Sequence, residues 1–419
     1  MKNKYKSSFY NIYRCNCEIF NSFSKADAFF DNEMFNYIKE EKLENISYKD
    51  IQKLLELGFI VPIKVDEFQI IKENYMNYHK KKETLLITLV PTFMCNFRCK
   101  YCFEGSTSKE NRKIIDYNVL KKYAKNNFNK FKHIHITLFG GEPLLCCNKN
   151  LDFFKYLKKL CKENSQTYSS SIATNAYLLN DSYIDDLINV CNCQTFQITI
   201  DGCKKTHNKL RSLANGTPTY DVVVRNFKKL LKYNDNNNLN IVLRVNLFNN
   251  DIDEVNTLLE EFSEEEKSKF SIYFRYIYNT KEFKEENQNK INLNEFHTNA
   301  RNKGFTINGN KSFSFYHCEG DGEEEQIHIL PDLKVYKCIN DMSYDKSFVG
   351  EINSEGKITF NDNIHIWNDN SFFDDAKCHN CKYLPMCWGG CPLIHKKTGK
   401  RICIYEKVMD ERNERKERV

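Results

Sequence analysis

From residue 84 onward, short apolar runs alternate with longer amphipathic ones. The runs at 85–90 (LLITLV), 133–139 (HIHITLF), 169–174 (SSSIAT), 194–200 (QTFQITI), 240–247 (NIVLRVNL) and 270–277 (FSIYFRYI) have strand length, and most are rich in β-branched and aromatic residues. The gaps between them are long enough for helices, as at 117–130, 150–163, 181–190 and 219–233. Six βα repeats predict an α/β fold with a parallel sheet and right-handed crossovers. Six is short of the eight that close a barrel, so an open, partial (β/α)6 barrel is expected over 83–280. Active residues of such sheets sit just past the C-terminal strand ends. Cys95 lies beyond the first run, Gly140 beyond the second, Thr174 at the end of the third and Asp201 beyond the fourth.

The first 82 residues have a different pattern. Residues 7–30 alternate and carry Phe9, Tyr10, Tyr13, Phe20 and Phe23, which predicts two or three short strands. Helices are expected over 33–41, from a Ser47 cap to Leu57 with Gly58 at its end, and over 66–82. Strands followed by short helices suggest a winged-helix-like module; the plainer alternative is an extension that packs on the next domain. Residues 281–312 are polar and read as a linker, 313–405 as a cysteine-rich module, and 406–419 as a charged tail.

The chain has 419 residues, 41% of them hydrophobic, and a net charge of +6 with acids and bases interspersed. That pattern is a solvated surface rather than a nucleic-acid groove. No apolar run reaches membrane-spanning length, and Met1 to Tyr10 lack the apolar centre of a secretion signal. A cytoplasmic protein without nucleic-acid or membrane partners is expected. In a reducing compartment, 18 cysteines point to metal sites or catalysis rather than disulfides. None lies between Cys203 and Cys318, and seven fall in the last 102 residues.

Beyond the first strand the chain reads Cys95-Asn-Phe-Arg-Cys99-Lys-Tyr101-Cys102. Three thiolates on one short loop can converge on one cluster, and soft sulfur selects iron–sulfur or zinc. A closed zinc site wants a fourth ligand, and no Cys or His follows within ten residues. Three ligands on a four-iron cube leave one iron open to a substrate. This spacing resembles the defining motif of the radical S-adenosylmethionine superfamily, whose TIM-like partial barrel matches the strand count. Gly140-Gly141-Glu142-Pro143 resembles that family's glycine–glycine–glutamate turn. The resemblance implies that this turn contacts the methionyl amino group of S-adenosylmethionine, with Glu142 as the complementary charge. Tyr101, Thr174, Asn175 and Thr199 are further cosubstrate contacts by the same resemblance, and Arg211 would hold the methionyl carboxylate.

Cys378-x2-Cys381-x5-Cys387-x3-Cys391, with Cys403 after it and Cys318 and Cys338 before it, is similar to the SPASM extension of radical peptide and protein maturases. The family usually has Gly five residues before the second cysteine, where this chain has Leu333. Family topology implies one auxiliary 4Fe–4S cluster on Cys378, Cys381, Cys387 and Cys403, and another on Cys318, Cys338 and Cys391. The second is one ligand short. A distant residue, Asp321 or a nearby Glu fills it, or its open iron takes a peptide thiolate. With the cluster on Cys95, Cys99 and Cys102 the count is three 4Fe–4S clusters plus S-adenosylmethionine.

The resemblance implies a 5′-deoxyadenosyl radical that takes hydrogen from a substrate carbon. A winged-helix-like module ahead of such a barrel resembles the leader-recognition element of ribosomal-peptide maturases, which add the leader as a strand to a sheet edge. The expectation is therefore a maturase that joins a cysteine sulfur to carbon in a precursor peptide, of the sactipeptide or ranthipeptide type, with flavodoxin or ferredoxin as reductant. Alternatives are an anaerobic sulfatase-maturing enzyme, for which removal of residues 1–82 would leave turnover intact, and a carbon–carbon cyclase. A non-enzymatic iron–sulfur carrier or sensor, which would cleave no cosubstrate, is the alternative of another class.

Overall fold

The computed structural model describes residues 4–80, 83–102, 113–249, 251–277, 291–308, 325–341, 347–367, 369–401 and 403. The chain divides into two compact units. One holds the described residues from 83 to 364, the other residues 4–80 and 365–403.

The first unit is built on one large sheet. Its strands β1 (Thr84–Leu89), β2 (His133–Leu138), β3 (Thr167–Thr174), β4 (Cys193–Thr199), β5 (Asn240–Leu247) and β6 (Ser271–Tyr276) are all parallel and lie side by side in sequence order. These are the six predicted runs. Helices Tyr117–Asn127, Cys147–Glu163, Asp181–Asn189 and Tyr220–Asn237 occupy the predicted gaps. Asp116 and Asn180 cap two of them by accepting backbone N–H groups of the first turn. Alternate strand residues Leu85, Ile87 and Leu89, and Ile134, Ile136 and Leu138, are buried, as a half-covered sheet requires.

Both edges of the six strands are covered by segments whose composition gave little sign of it. Within the expected linker 281–312, Leu293–Asn302 is a helix and β7 (Thr306–Ile307) pairs parallel with β6. On the other edge β8 (Gln326–Ile329) pairs parallel with β1. An antiparallel meander of β9 (Lys334–Tyr336), β10 (Gly350–Ile352) and β11 (Ile358–Phe360) follows, giving an 11-stranded sheet. Open strand edges leave backbone donors and acceptors unpaired, and these additions satisfy them. The segment expected as one module over 313–405 is thus shared between the two units. At the β8–β9 turn Leu333 has φ +66°, the left-handed region that favours glycine. A leucine therefore stands here in a conformation that glycine adopts without strain.

The second unit joins the chain's two described ends. Antiparallel strands Asn11–Tyr13, Glu18–Asn21 and Asp27–Phe29 form one small sheet, and Tyr5–Ser7 pairs with Ile60–Pro62. Helices Asn32–Lys39, Tyr48–Glu56 and Glu67–Lys80 follow the predicted spans. The Ser47 hydroxyl accepts Asp50 N–H at 3.2 Å, so the predicted cap is present. Tyr10, Ile71 and Tyr75 pack in one cluster with Phe372, Phe373 and Leu384, and Phe20 packs with Met386. Lys382 Nζ donates to Asn11 O at 2.9 Å, and Phe68 stacks on His379 with ring centres 3.9 Å apart. The N-terminal module and the cysteine-bearing segment therefore share a core.

Candidate active site

The loop after β1 carries Cys95, Cys99 and Cys102 and is held by backbone pairing. Phe97 bridges Leu213, Arg98 N donates to Ser212 O at 2.9 Å, and Lys100 N donates to Leu210 O at 3.0 Å. From the end of β2 comes the turn at Gly140 to Pro143. A Cβ on Gly141 would lie 2.3 Å from Met94 O and 2.5 Å from Phe93 O. The glycine is needed because the turn lies directly against the root of the cysteine loop. Gly140, with φ +120°, is equally tight against Thr92 O, at 2.7 Å from its would-be Cβ.

Glu142 is fully buried. Its carboxylate accepts Thr174 Oγ1 at 2.7 Å, Asn175 N at 2.8 Å and Leu144 N at 3.0 Å. Burial pushes this carboxyl above its ordinary range, and those three donors work against the shift. In this chain the side chain ties the ends of β2 and β3 together. Asn175 extends the link by donating to Asn96 Oδ1 at 2.8 Å, with Cys95 Sγ 3.7 Å away. Pro143 opens the short helical turn Pro143–Cys146, which Glu142 caps.

A second cluster gathers at the ends of β4 and β5. Thr199 closes β4, two residues before the buried Asp201. The Tyr101 hydroxyl donates to Asp201 Oδ2 and accepts from Arg211 Nη1 at 2.7 Å and Asn246 Nδ2 at 3.0 Å. Asn246 N donates to Asp201 Oδ1 at 3.0 Å, and Arg211 lies 4.0 Å from Asp201. Burial opposes the Arg211 charge, but Cys99, Tyr101 and Asp201 around it outweigh that and hold the guanidinium protonated. Burial raises Cys99 while Arg211 opposes the rise; burial and then Glu142 push Cys95 up to about 12. Such thiols are neutral until a metal displaces their protons. His207 is fully buried and accepts Asp201 N–H at its Nδ1, 3.2 Å away. Its Nε2 meets Thr219 Oγ1 at 3.2 Å, and that hydroxyl donates to Arg211 O at 2.5 Å.

Asn96 and Asn246 were not singled out as site residues from the sequence. Asn246 carried a usable signal: it is a polar residue one short of the end of the fifth strand run, where its neighbours supply Thr174 and Thr199. Arg211 Nε and Asn96 Nδ2 are buried and have no hydrogen-bond partner among the described residues. Two donors left over at the strand ends suit an acceptor that the chain itself does not provide.

In the second unit Cys378, Cys381 and Cys387 come from two one-turn helices and the turn between them. Burial pushes Cys387 up to about 12, followed by Cys403, Cys378 and Cys381; burial pushes Cys378 up to about 11, with Cys381 and Cys403 contributing. Cys378 and Cys387 thus each feel the charge of Cys381 and Cys403. Gly389 sits against the Phe372 ring, 2.5 Å from its would-be Cβ, and Arg401 ties the segment down through Gly389 O at 3.3 Å and the Asp369 carboxylate. Cys391 immediately precedes the helix Pro392–Thr398 in this unit, while Cys338 belongs to the sheet unit and Cys318 lies outside the described residues. Among the described residues no three His, Cys, Asp or Glu side chains converge on a single ion. A four-iron cluster takes each thiolate on a different iron, so it does not ask for that convergence.

Residues 89–261 match the radical SAM superfamily family model. A cysteine-type anaerobic sulfatase-maturating enzyme of Clostridium novyi is 26% identical over 337 residues, covering 71% of this chain and 84% of that protein. The radical SAM cyclopropyl synthase TigE of Paramaledivibacter caminithermalis is 24% identical over 439 aligned positions, covering 91% of this chain and 87% of that protein. Among solved structures, native anSMEcpe with bound AdoMet and Kp18Cys peptide superposes with TM-score 0.55 at 23% identity, covering 74% of this chain and 89% of that one. Among the described residues no helix is long and apolar enough to cross a membrane.

Proposed function

Because residues 89–261 make this chain a radical SAM enzyme, we propose that it is a peptide maturase that forms thioether crosslinks, joining cysteine sulfur to carbon in a ribosomally made precursor. Membership of the family brings a 4Fe–4S cluster and S-adenosylmethionine, which supply a 5′-deoxyadenosyl radical able to remove hydrogen from carbon. Cys95, Cys99 and Cys102 would hold the cluster. The unpartnered donors Arg211 Nε and Asn96 Nδ2 fit the polar groups of the cosubstrate. Tyr101, itself held by Asp201 and Asn246, orients Arg211, and Glu142 locks the two strand ends that frame the cysteine loop. In the second unit Cys378, Cys381, Cys387 and Cys403 would hold an auxiliary cluster. Cys318, Cys338 and Cys391 would be ligands of another, and flavodoxin or ferredoxin the electron source.

The observation that carries the substrate reading is the shared core of the second unit. Tyr10, Ile71 and Tyr75 of the N-terminal module pack on the segment that bears the four thiols. A leader peptide added to the small N-terminal sheet would thus be anchored on the unit that carries the auxiliary cluster. This core also changes one expectation. Removing residues 1–82 would strip those aromatics from the cysteine segment, so loss of turnover on truncation does not distinguish a crosslinking maturase from a sulfatase-maturing one.

Product analysis does distinguish them. Reconstituted enzyme, incubated with a cysteine-rich precursor peptide, should yield products lighter by two hydrogens per crosslink, with one fewer alkylatable thiol each time. Loss of two hydrogens with every thiol still alkylatable would mean carbon–carbon closure, the reading favoured by the similarity to a cyclopropyl synthase over 91% of the chain. An aldehyde captured by hydrazide would mean formylglycine, the reading favoured by the similarity to a sulfatase-maturating enzyme.

A further inference from the structure

The sheet carries a chain of hydrogen bonds that the strand-end clusters do not use. His133, His135 and Thr137 on β2 and Thr167, Ser169 and Ser171 on β3 share one face, as alternate residues of paired strands do. They are joined end to end. Thr167 Oγ1 meets His133 Nδ1 at 2.7 Å, and His133 Nε2 meets Ser169 Oγ at 2.8 Å. Ser169 Oγ meets His135 Nδ1 at 2.8 Å, and His135 Nε2 meets Ser171 Oγ at 3.1 Å. Ser171 Oγ meets Thr137 Oγ1 at 2.7 Å.

A neutral imidazole has one N–H donor and one bare acceptor nitrogen, and a hydroxyl both donates and accepts. Each inner member of this series can therefore accept from one neighbour and donate to the next. A single polarity runs through all five bonds, in either direction. Burial lowers the proton affinity of both imidazoles, and His133 adds to the effect on His135, which favours the neutral form that such a series needs. Ser169, only 6% exposed, is the hinge between the two rings.

The ladder also has a direction in the fold. Thr167, the first residue of β3, is exposed. Thr137 is the last residue but one of β2, three before Gly140. Register sets Thr137 beside Ser171, Ser171 beside Thr195 and Thr195 beside Asn240. Asn246 lies six residues further along β5, hence on the same face. There it meets Tyr101 and Asp201.

We infer that this ladder is a proton path between solvent at the N-terminal edge of the sheet and the reaction site at the strand ends. The inference rests on the reading that the enzyme oxidises a peptide. In thioether closure a C–H and an S–H bond break and a C–S bond forms. The hydrogen atom goes to the deoxyadenosyl group, one electron returns to an iron–sulfur cluster, and one proton is left over. Formylglycine formation and carbon–carbon closure each leave one proton in the same way. Each hop along the ladder moves a proton across one hydrogen bond and reverses the polarity behind it. Three residues at about 3.3 Å each separate Thr137 from Gly140, a span that water on this half-exposed polar face can bridge.

Two measurements test the path. In the resting protein, nitrogen-15 spectra of the two rings should show both neutral and in the same tautomer. Opposite tautomers, or a charged ring, would break the polarity at Ser169 and overturn the inference without any turnover being needed. In turnover, Ser169→Ala should slow peptide oxidation by about 100-fold and expose a solvent-deuterium effect. Cosubstrate cleavage without peptide should stay unchanged, and Ser169→Thr, which keeps the hydroxyl, should recover most of the rate. Equal rates for Ser169→Ala and the parent would sink the proposal. A parent enzyme that oxidises no peptide would instead sink the functional reading, and the tautomers would still decide the ladder.

Discussion

The two units hold their cysteines by different means. In the sheet unit the thiol loop leaves a regular strand and is fixed by backbone pairing with 210–214, by the close approach of Gly141 and by buried polar links through Glu142 and Asp201. In the other unit the thiols come from one-turn helices and tight turns, and an aromatic wall of Tyr10, Tyr75, Phe372 and Phe373 supports them. Register places a side chain accurately when the scaffold is a ladder of hydrogen bonds. Where the backbone is irregular, large side chains from distant parts of the chain must do that job.

The sharpest way to break this contrast is to remove one thiol from each unit. Cys99→Ala should abolish deoxyadenosine formation altogether. Cys387→Ala should lower iron content and stop peptide modification while leaving cosubstrate cleavage measurable. If Cys387→Ala also abolished cleavage, the two units would not be separable in chemistry.

Phe372→Ala tests the aromatic wall. Phe372 is 1% exposed, and its truncation should cost about 3–5 kcal/mol. Auxiliary iron should be lost with the lowered melting temperature, and the sheet unit's cosubstrate cleavage should survive.

A smaller effect concerns the added edge of the sheet. Burial, helped by Lys337, holds His328 down at about 4. Below 6.5 the histidine of the unfolded chain takes up a proton that the buried ring does not hold. Its contribution is therefore complete above the ordinary histidine value of 6.5 and is lost as pH falls from there toward about 4. Melting temperature followed against pH should fall across that window, and His328→Gln should flatten the profile. The smallest effect is expected at Leu333. Relieving its positive φ with Leu333→Gly should raise stability by about 0.5–1 kcal/mol, read as a rise in melting temperature.

Much of the sheet unit was legible because its signals are local. Except for the serine-rich β3, each strand from β1 to β6 carries period-two apolar residues, and each site residue from Cys95 to Thr199 follows or ends one of these six runs. The covering strands β7 and β8 were not legible, since a two-residue strand and a four-residue one carry no periodicity of their own. Glu142 was expected to meet the cosubstrate, and its three bonds to Thr174, Asn175 and Leu144 depend on strand order that no local pattern encodes. The place of Asn246 near a strand end was legible, but its partners Tyr101 and Asp201, 145 and 45 residues away, were not.

The sequence by itself determined the strand and helix series, the three-cysteine loop after β1 and the glycine turn after β2, because spacing and periodicity are properties of neighbours along the chain. Only the tertiary structure decided that the N-terminal module and the last cysteines share one core. It also decided that Arg211 is gripped by Tyr101 beside Asp201, and that two histidines and four hydroxyls form one ladder. Each of these depends on packing or on hydrogen bonds between strands, and such contacts form between residues that chain distance does not bring together.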